Sequence, residues 1–441
     1  MTTAPAAELS QGSPVGVTTR SPLRRVALSG FVGSTIEFYD FYIYGTAAAL
    51  VFPAVFFPHL SPALGTVASL ATFAAAFLSR PLGAAFFGHF GDRLGRKRSL
   101  LATLLIMGLA TLAVGLVPPT SAIGIAAPIT LLVLRLLQGF ALGGEWAGSA
   151  LLTAEYAPPQ KRGMYGMATA LGGGAGLILT NAVFLIANVT VGEKSDAFLT
   201  WGWRIPFLFS AALVLVAFYV RRSIAETPVF VAAKKRAGVS TVPVAGVFRH
   251  QRRNVVLAAG LVVGIFAFRY MAGTYLMGYA SNHLGFSRDV VLLVGVAGGF
   301  CVMAIASLSA RLSDRIGRRK VVLWGYALAL PWSFVLFPLI DTGHAVLLLA
   351  GIVGTYVILA FTDGPTATFM PEIFPTRYRY TAAGLAFNFG SIMGGALPPT
   401  ASGVLQSMWG SWAIGAMLAA LMLVSLLSVA LLPETRGSDL A

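Results

Sequence analysis

Gly88-His89-Phe90-Gly91-Asp92-Arg93-Leu94-Gly95-Arg96-Lys97-Arg98 separates two long apolar runs, and Ala310-Arg311-Leu312-Ser313-Asp314-Arg315-Ile316-Gly317-Arg318-Arg319-Lys320 separates two more. A second pair of segments echoes in the same way. Ala154-Glu155-Tyr156-Ala157-Pro158, with Arg162 beyond it, matches Pro371-Glu372-Ile373-Phe374-Pro375-Thr376-Arg377. The offset from Asp92 to Asp314 is nearly that from Glu155 to Glu372. Two independent motifs at one offset indicate an internal duplication in parallel orientation, which is a transporter architecture. Each Asp-Arg-x-Gly-Arg segment reads as a tight loop. Gly95 and Gly317 allow the sharp turn, and the arginines hold the loop at lipid headgroups. The aspartate pairs with them or accepts from a neighbouring helix N-terminus. Such a bond suits a gate latch, and a static loop clamp is the alternative.

The apolar runs around these loops fix the class of protein. The chain has 441 residues, 57% hydrophobic and only 11% charged, with mean hydropathy +0.79. So little polar surface fits a polytopic all-α membrane protein and no ordinary soluble domain. Twelve runs are long enough to span: 26–51, 63–90, 99–118, 123–153, 163–190, 201–221, 255–284, 289–310, 321–340, 345–371, 379–407 and 410–432. The expected organisation is a disordered cytoplasmic tail over 1–25, a six-helix bundle over 26–222 and a cytoplasmic linker over 223–254. A second six-helix bundle over 255–432 and a short tail over 433–441 complete it.

The net charge of +15 would suggest nucleic acid in a soluble chain. Threading twelve spans puts both termini on one side, and all but six of the 31 lysines and arginines fall there. The exceptions are Lys194, Arg204 and Arg288 on the other side and Arg80, Arg135 and Arg269 inside spans. The charge is therefore topology. By the positive-inside rule both termini are cytoplasmic, in a multi-pass cell-membrane protein. A single cysteine, Cys301, excludes an internal disulfide and a cysteine-based metal or redox site. Gly172-Gly173-Gly174-Ala175-Gly176 lies in a span with no Lys-Ser/Thr after it, so close helix packing explains it better than a phosphate loop. No metal or catalytic-triad spacing appears, and no enzyme is expected.

The paired Gly-x-x-x-Asp-Arg-x-Gly-Arg-Lys loops resemble the signature of the major facilitator superfamily. Arg135-Leu-Leu-Gln138-Gly139 resembles its second motif. Finer features are Glu37-Phe-Tyr-Asp40-Phe, Arg80-Pro81-Leu82-Gly83, Gly139-Phe-Ala-Leu-Gly-Gly-Glu145-Trp146, Trp203-Arg204-Ile-Pro206 and Pro371-Glu372-Ile-Phe-Pro375-Thr-Arg377. Together they resemble the metabolite:proton symporter family, which includes carriers of shikimate, 2-oxoglutarate, citrate and proline/betaine. The resemblance implies twelve transmembrane helices in two pseudo-symmetric halves, with spans 1, 4, 7 and 10 lining a central cavity.

Ionisable residues deep in a membrane are costly and mark functional sites. Here they are Glu37, Asp40, Arg80, Arg135, Glu145, Arg269 and Asp363, and all but Arg80 lie on those four spans. Glu37 and Asp40 share one helix face with Tyr44 a turn beyond. Desolvation favours the neutral form of a buried carboxylate. Glu37 or Asp40 is therefore the first choice for proton carrier, with Asp363 behind. Glu145 reads equally as a proton carrier and as an interhelical hydrogen-bonding group. Arg135 is too far from Glu145 along one helix for a direct pair. It reaches carboxylates on span one, or a substrate carboxylate with its fork, and a structural role is equally open. Arg269 and Asp363 read as a salt bridge or as an anion anchor and its neighbour. Gln138, Tyr44, Tyr275 and Asn388 join as substrate-binding candidates. Asp92, Arg93, Arg96, Asp314, Arg315, Arg318, Glu155, Arg162, Glu372 and Arg377 are the gating-loop candidates.

The expected function is a proton-coupled symporter importing a small hydrophilic metabolite, most simply an organic acid, by rocking of one half against the other. Its expected partners are the substrate, protons and the bilayer, with no other cofactor, no nucleic acid and one chain as the working unit. A zwitterionic osmolyte symporter and a proton-driven exporter are the alternatives. The short segment after Pro433-Glu434-Thr435 speaks against the osmolyte reading.

Overall fold

The computed structural model describes residues 20–94, 96–146, 161–192, 195–222, 244–375 and 378–437; of 20–26, 88–97, 221–222, 244–245 and 248 it describes the backbone alone. Among the described residues twelve long helices follow one another. In the first half they are α1 (Arg20–Leu50), α2 (Pro62–Leu94), α3 (Arg96–Leu116), α4 (Ala126–Gly143), α5 (Arg162–Val191) and α6 (Ile205–Arg222). The second half opens with α7 (Val244–Tyr270, continued through a π-turn at Met271–Tyr275 into Leu276–Asn282). It goes on with α8 (Arg288–Ile316), α9 (Arg318–Ile340) and α10 (Ala345–Glu372). α11 (Arg379–Ser391, a π-turn at Ile392–Ala396, then Leu397–Trp409) and α12 (Ser411–Leu431) close it. Ten of the twelve are long and apolar enough to cross a membrane on length and composition. The other two are α1, with its two carboxylates, and α11, whose Gly, Asn, Ser and Pro residues lower its hydropathy.

Only a helix or a closed barrel satisfies its backbone inside lipid, so each apolar run folds as a helix. Internal prolines are tolerated for the same reason, as at Pro81 in α2 and Pro365 in α10. The expected linker 223–254 needs correcting at its far end, because α7 starts at Val244. Arg249, Arg252 and Arg253 read as loop charges, yet a helix can run past the apolar layer while its arginines point to headgroups and water.

Glycine decides how closely the helices approach. A Cβ on Gly139 would lie 2.0 Å from the Ala76 carbonyl oxygen, and one on Gly143 equally close to that of Arg80. α2 and α4 therefore meet backbone to backbone. The glycine-rich run of α5 serves both halves. Gly172 and Gly176 face α1, and Gly174 faces the Gly299 carbonyl of α8. Close packing is thus its role, as the sequence suggests.

The halves touch at both ends. At the end bearing the basic loops, Asp314 accepts from the backbone N–H groups of Gly163 and Met164 at 3.1 Å, which is a carboxylate at the N-terminus of α5. Thr368 donates to the Arg162 carbonyl, Tyr380 to that of Gly144 and Asn388 to that of Gly143. At the opposite end, Arg288 donates to the Leu50 carbonyl, Asn282 to that of Ala49, and Asn188 to Asp289. Among the described residues the halves are thus bonded to each other at both ends.

Candidate functional site

The first-half cluster is built on α1, α3 and α4. Asp40 is 1% exposed, and neither carboxylate oxygen makes a hydrogen bond. Thr111 lies beside it, but that hydroxyl already donates to Met107 and accepts from Gln138 Nε2 at 2.7 Å. Glu145 and Arg135 are the charged groups near Asp40. The Arg135 guanidinium sits 4.1 Å from the Phe41 ring centre and 4.2 Å from that of Tyr44. Its Nη1 donates to Gln138 Oε1 at 3.1 Å and its Nε to the Phe73 carbonyl. Rings on both sides offset part of the desolvation of the cation. Tyr44 donates to Thr72 at 2.8 Å. The structure thus brings Asp40, Tyr44, Arg135, Gln138 and Glu145 together in an enclosed network.

A second cation, Arg80 of α2, lies at the seam between halves. Its guanidinium stands 4.4 Å from the Phe41 ring of the first half and 5.8 Å from the Phe266 ring of the second. Glu37 and Tyr270 are the acidic and phenolic groups nearest it. Sequence reasoning names Arg80 as an in-span charge without assigning it a role. The signal was present, but the α7 rings that enclose it are supplied by the fold.

The second-half group is a pair. Arg269, the residue before Tyr270 and the π-turn, bonds through Nη2 to Asp363 Oδ2 at 2.5 Å. π-Turns inside helices commonly mark functional positions, because they re-aim the side chains beside them. The pair lines a small, partly open cavity between the halves. Its other walls are Phe38 of α1, Trp146 just past α4, Thr169 of α5, Thr366 of α10 and Phe387 of α11. Trp146 and Phe387 stack with ring centres 3.7 Å apart and planes within 7°. Sequence reasoning did not assign these aromatics, since they lie in different halves.

The remaining candidates fall elsewhere. Tyr275 donates to Gln406 at 3.0 Å, outside the cavity lining. Asn388 is spent on the contact between halves, bonding Gly143 and Gly384. Among the gating residues, Arg318 is buried, bonded to Asp314 at 2.5 Å, with its Nε 3.5 Å from Glu372. Arg162 is buried near Glu372, and Arg315 is exposed. Gly317, at φ +111°, makes the turn between α8 and α9. Glu434 accepts from the N–H groups of Arg318 and Arg319, capping α9, and Thr435 donates to Glu372. The expected tail thus packs back on the loop. The side chains of Asp92, Arg93 and Arg96, and the whole of Glu155 and Arg377, lie outside the described residues.

Among the described residues, long helices, ten of them apolar enough to span a membrane, surround a cavity with a charged wall, which points to a membrane transporter rather than an enzyme. Residues 31–399 match the family model of the Major Facilitator Superfamily, and the chain belongs to that superfamily. It is 39% identical over 424 residues to the inner membrane metabolite transport protein YhjE of Escherichia coli, covering 94% of this chain and 95% of the relative. To the shikimate transporter of the same organism it is 39% identical, over 90% of this chain and 91% of the relative. To the proline/betaine transporter of Salmonella typhimurium it is 36% identical, over 87% and 78%. Among solved structures, the proton:xylose symporter XylE superposes with a TM-score of 0.74 at 18% identity, over 95% of this chain and 98% of that one. That likeness speaks for the fold alone.

Proposed function

We propose that the protein is a proton-coupled symporter that imports a small organic acid across the cell membrane by alternating access, with both termini in the cytoplasm. The supporting observation is the small cavity between the halves, whose wall carries the Arg269–Asp363 pair. Arg269 is the anion anchor, since a guanidinium matches a carboxylate with two parallel bonds. Asp40 is the first-half proton carrier. It is buried beside Arg135 and Glu145 with no hydrogen bond to either carboxylate oxygen, and an ionisable group so placed within a membrane marks a functional site. Residues 26–222 and 255–432 would rock about the cavity, breaking the Asp314 contacts with α5 to open one end and the Arg288 contact with α1 to open the other. A single chain, with substrate, proton and bilayer, is the working unit.

The test is uptake by proteoliposomes under an imposed inward proton gradient, with labelled shikimate, 2-oxoglutarate, citrate, 4-hydroxybenzoate, proline and betaine. Gradient-driven uptake of an acid supports the reading; uptake of none of the acids, or uptake indifferent to the gradient, sinks it. The zwitterion reading has one observation in its favour. Asp363 and Arg269 offer both signs of charge on one cavity wall. It predicts betaine uptake stimulated by hyperosmotic medium.

A further inference from the structure

Arg249, Arg252 and Arg253 lie on the stretch of α7 that runs past the apolar layer, and all three side chains are exposed. Their spacing puts them on one helix face with Val256, which is 68% exposed. The face therefore passes from lipid-facing valine to guanidinium within about 5 Å, as an acyl chain passes into a headgroup. The extension is anchored elsewhere. Val247 and Val255 are buried, and His250 stacks on Tyr378 with ring centres 6.1 Å apart.

One turn deeper the same face is closed from two sides. A Cβ on Gly260 would lie 2.0 Å from the Ser428 hydroxyl oxygen of α12, and one on Gly390 of α11 would lie 2.3 Å from the Ala259 carbonyl oxygen. Val256 is hence the floor of a cleft that narrows where α11 and α12 meet α7. Val424 and Leu431 neighbour Ser428 on the surface of α12, and they are 40% and 60% exposed. In a chain of this superfamily such a cleft opens on lipid.

The charge above the cleft has no counterpart in the chain. At the same end Arg318 is bonded to Asp314, Arg319 to the Val429 carbonyl and Arg379 to the carbonyls of Pro371 and Phe374. Among the described residues no carboxylate pairs with Arg249, Arg252 or Arg253. Three such guanidiniums over an apolar cleft match the two parts of one molecule: a phosphate for the forks and an acyl chain for the cleft. A zwitterionic headgroup would bring an ammonium toward the same three cations.

We infer that the cleft between α7, α11 and α12 is a binding site for one anionic phospholipid, its phosphate held by Arg249, Arg252 and Arg253 and an acyl chain laid along Val256 toward Leu431. The lipid bridges the extension of α7 to α12. Arg253 lies about 24 Å along the helix from Arg269, so the site is separate from the central cavity and does not depend on what that cavity carries.

The test uses the purified full chain, stripped of lipid in neutral detergent. Bound lipid is counted by native mass spectrometry, and the unfolding midpoint is followed in parallel. Phosphatidylglycerol should bind saturably, as a single molecule per chain, and raise the midpoint. Phosphatidylcholine should bind at least about tenfold more weakly. Arg252→Gln/Arg253→Gln should weaken phosphatidylglycerol about 25-fold, since each basic side chain at an anionic headgroup contributes about fivefold. Arg311→Gln/Lys320→Gln removes the same charge from exposed positions at the same end. It should change affinity less than about twofold, because charges beyond a Debye length are screened. Should the first double variant fail to fold, Arg253→Gln alone decides, with about fivefold expected. Glycerol 3-phosphate carries the phosphate without the chains and should not compete. Equal losses in the two double variants would reduce the site to the diffuse attraction of a basic surface and overturn the inference. Phosphatidylcholine binding as tight as phosphatidylglycerol, competition by glycerol 3-phosphate, or no saturable binding would each overturn it too. None of these outcomes touches the transport reading, which the uptake assay tests.

Discussion

Arg135 and Arg269 are both buried arginines on helices that flank the centre, yet their surroundings differ. Arg135 is 0% exposed, boxed by Phe41, Tyr44 and Phe73 and hydrogen-bonded to Gln138. Arg269 also lies over rings, those of Phe38 and Phe266, but its polar partner is one carboxylate, Asp363, and it lines a cavity. A boxed cation can respond to a proton on a neighbouring acid but has no room for a ligand. A cation on a cavity wall can exchange one carboxylate for another. On the proposed reading, this contrast divides labour between the halves, with the proton at Asp40 in the first and the substrate at Arg269 in the second.

Arg269→Gln strikes that division hardest. Losing one partner of a desolvated charge pair costs about 2–5 kcal/mol, so uptake KM should rise at least about 30-fold. Arg135→Gln should lower the rate of gradient-driven uptake while leaving ligand affinity nearly intact. If equilibrium binding assays find both variants equally blind to substrate, the contrast between the arginines is wrong.

Asp40→Asn comes next, since it fixes the protonated form in shape and charge. With a pH gradient of about one unit, a carrier coupled to one proton can concentrate an electroneutrally carried substrate about tenfold, the equivalent of 1.36 kcal/mol. The variant should equilibrate substrate without concentrating it, and its exchange of labelled for unlabelled substrate should stay within about threefold of the parent. Retained accumulation would move the proton away from Asp40.

Much of this arrangement was legible in the sequence, because hydropathy and charge are written along the chain. Over the described residues each apolar run is helical, and the Asp314 loop makes a contact with a helix N-terminus across the halves. The start of α7 was not legible, because Arg249, Arg252 and Arg253 carry the same signal on an extended helix as in a loop. Arg80 was visible as a charge, but Phe266 and Tyr270 give it meaning only once α7 lies against α2. The stack of Trp146 on Phe387 joins residues of opposite halves, a contact no local pattern encodes. Arg269 and Asp363 were each readable, whereas their direct bond beside a cavity needed the fold.

A milder probe of the enclosed cluster is Gln138→Leu. It strips Arg135 Nη1 of its acceptor and Thr111 of its donor. Unsatisfied buried polar groups cost about 1–3 kcal/mol, so the unfolding midpoint of the purified protein should fall while substrate KM stays within about twofold. A large KM change would bring Gln138, and the boxed arginine with it, into the binding site.

Tyr275→Phe should have the smallest effect, and it tests where the second-half site ends. Tyr275 lies six residues beyond Arg269, about 9 Å along a helix of ordinary rise, and its hydroxyl is committed to Gln406. Its ring stacks on Tyr279, whose hydroxyl donates to Asp341. Removing one hydroxyl from this chain loses a hydrogen bond worth about 0.5–1.5 kcal/mol and leaves the ring packing in place. Uptake kinetics should match the parent within about twofold. A tenfold rise in KM would mean that Tyr275 turns from Gln406 to the ligand when the opposite end opens. The second-half site would then extend a helical turn and a half past Arg269, and the contrast with the boxed first half would sharpen rather than break.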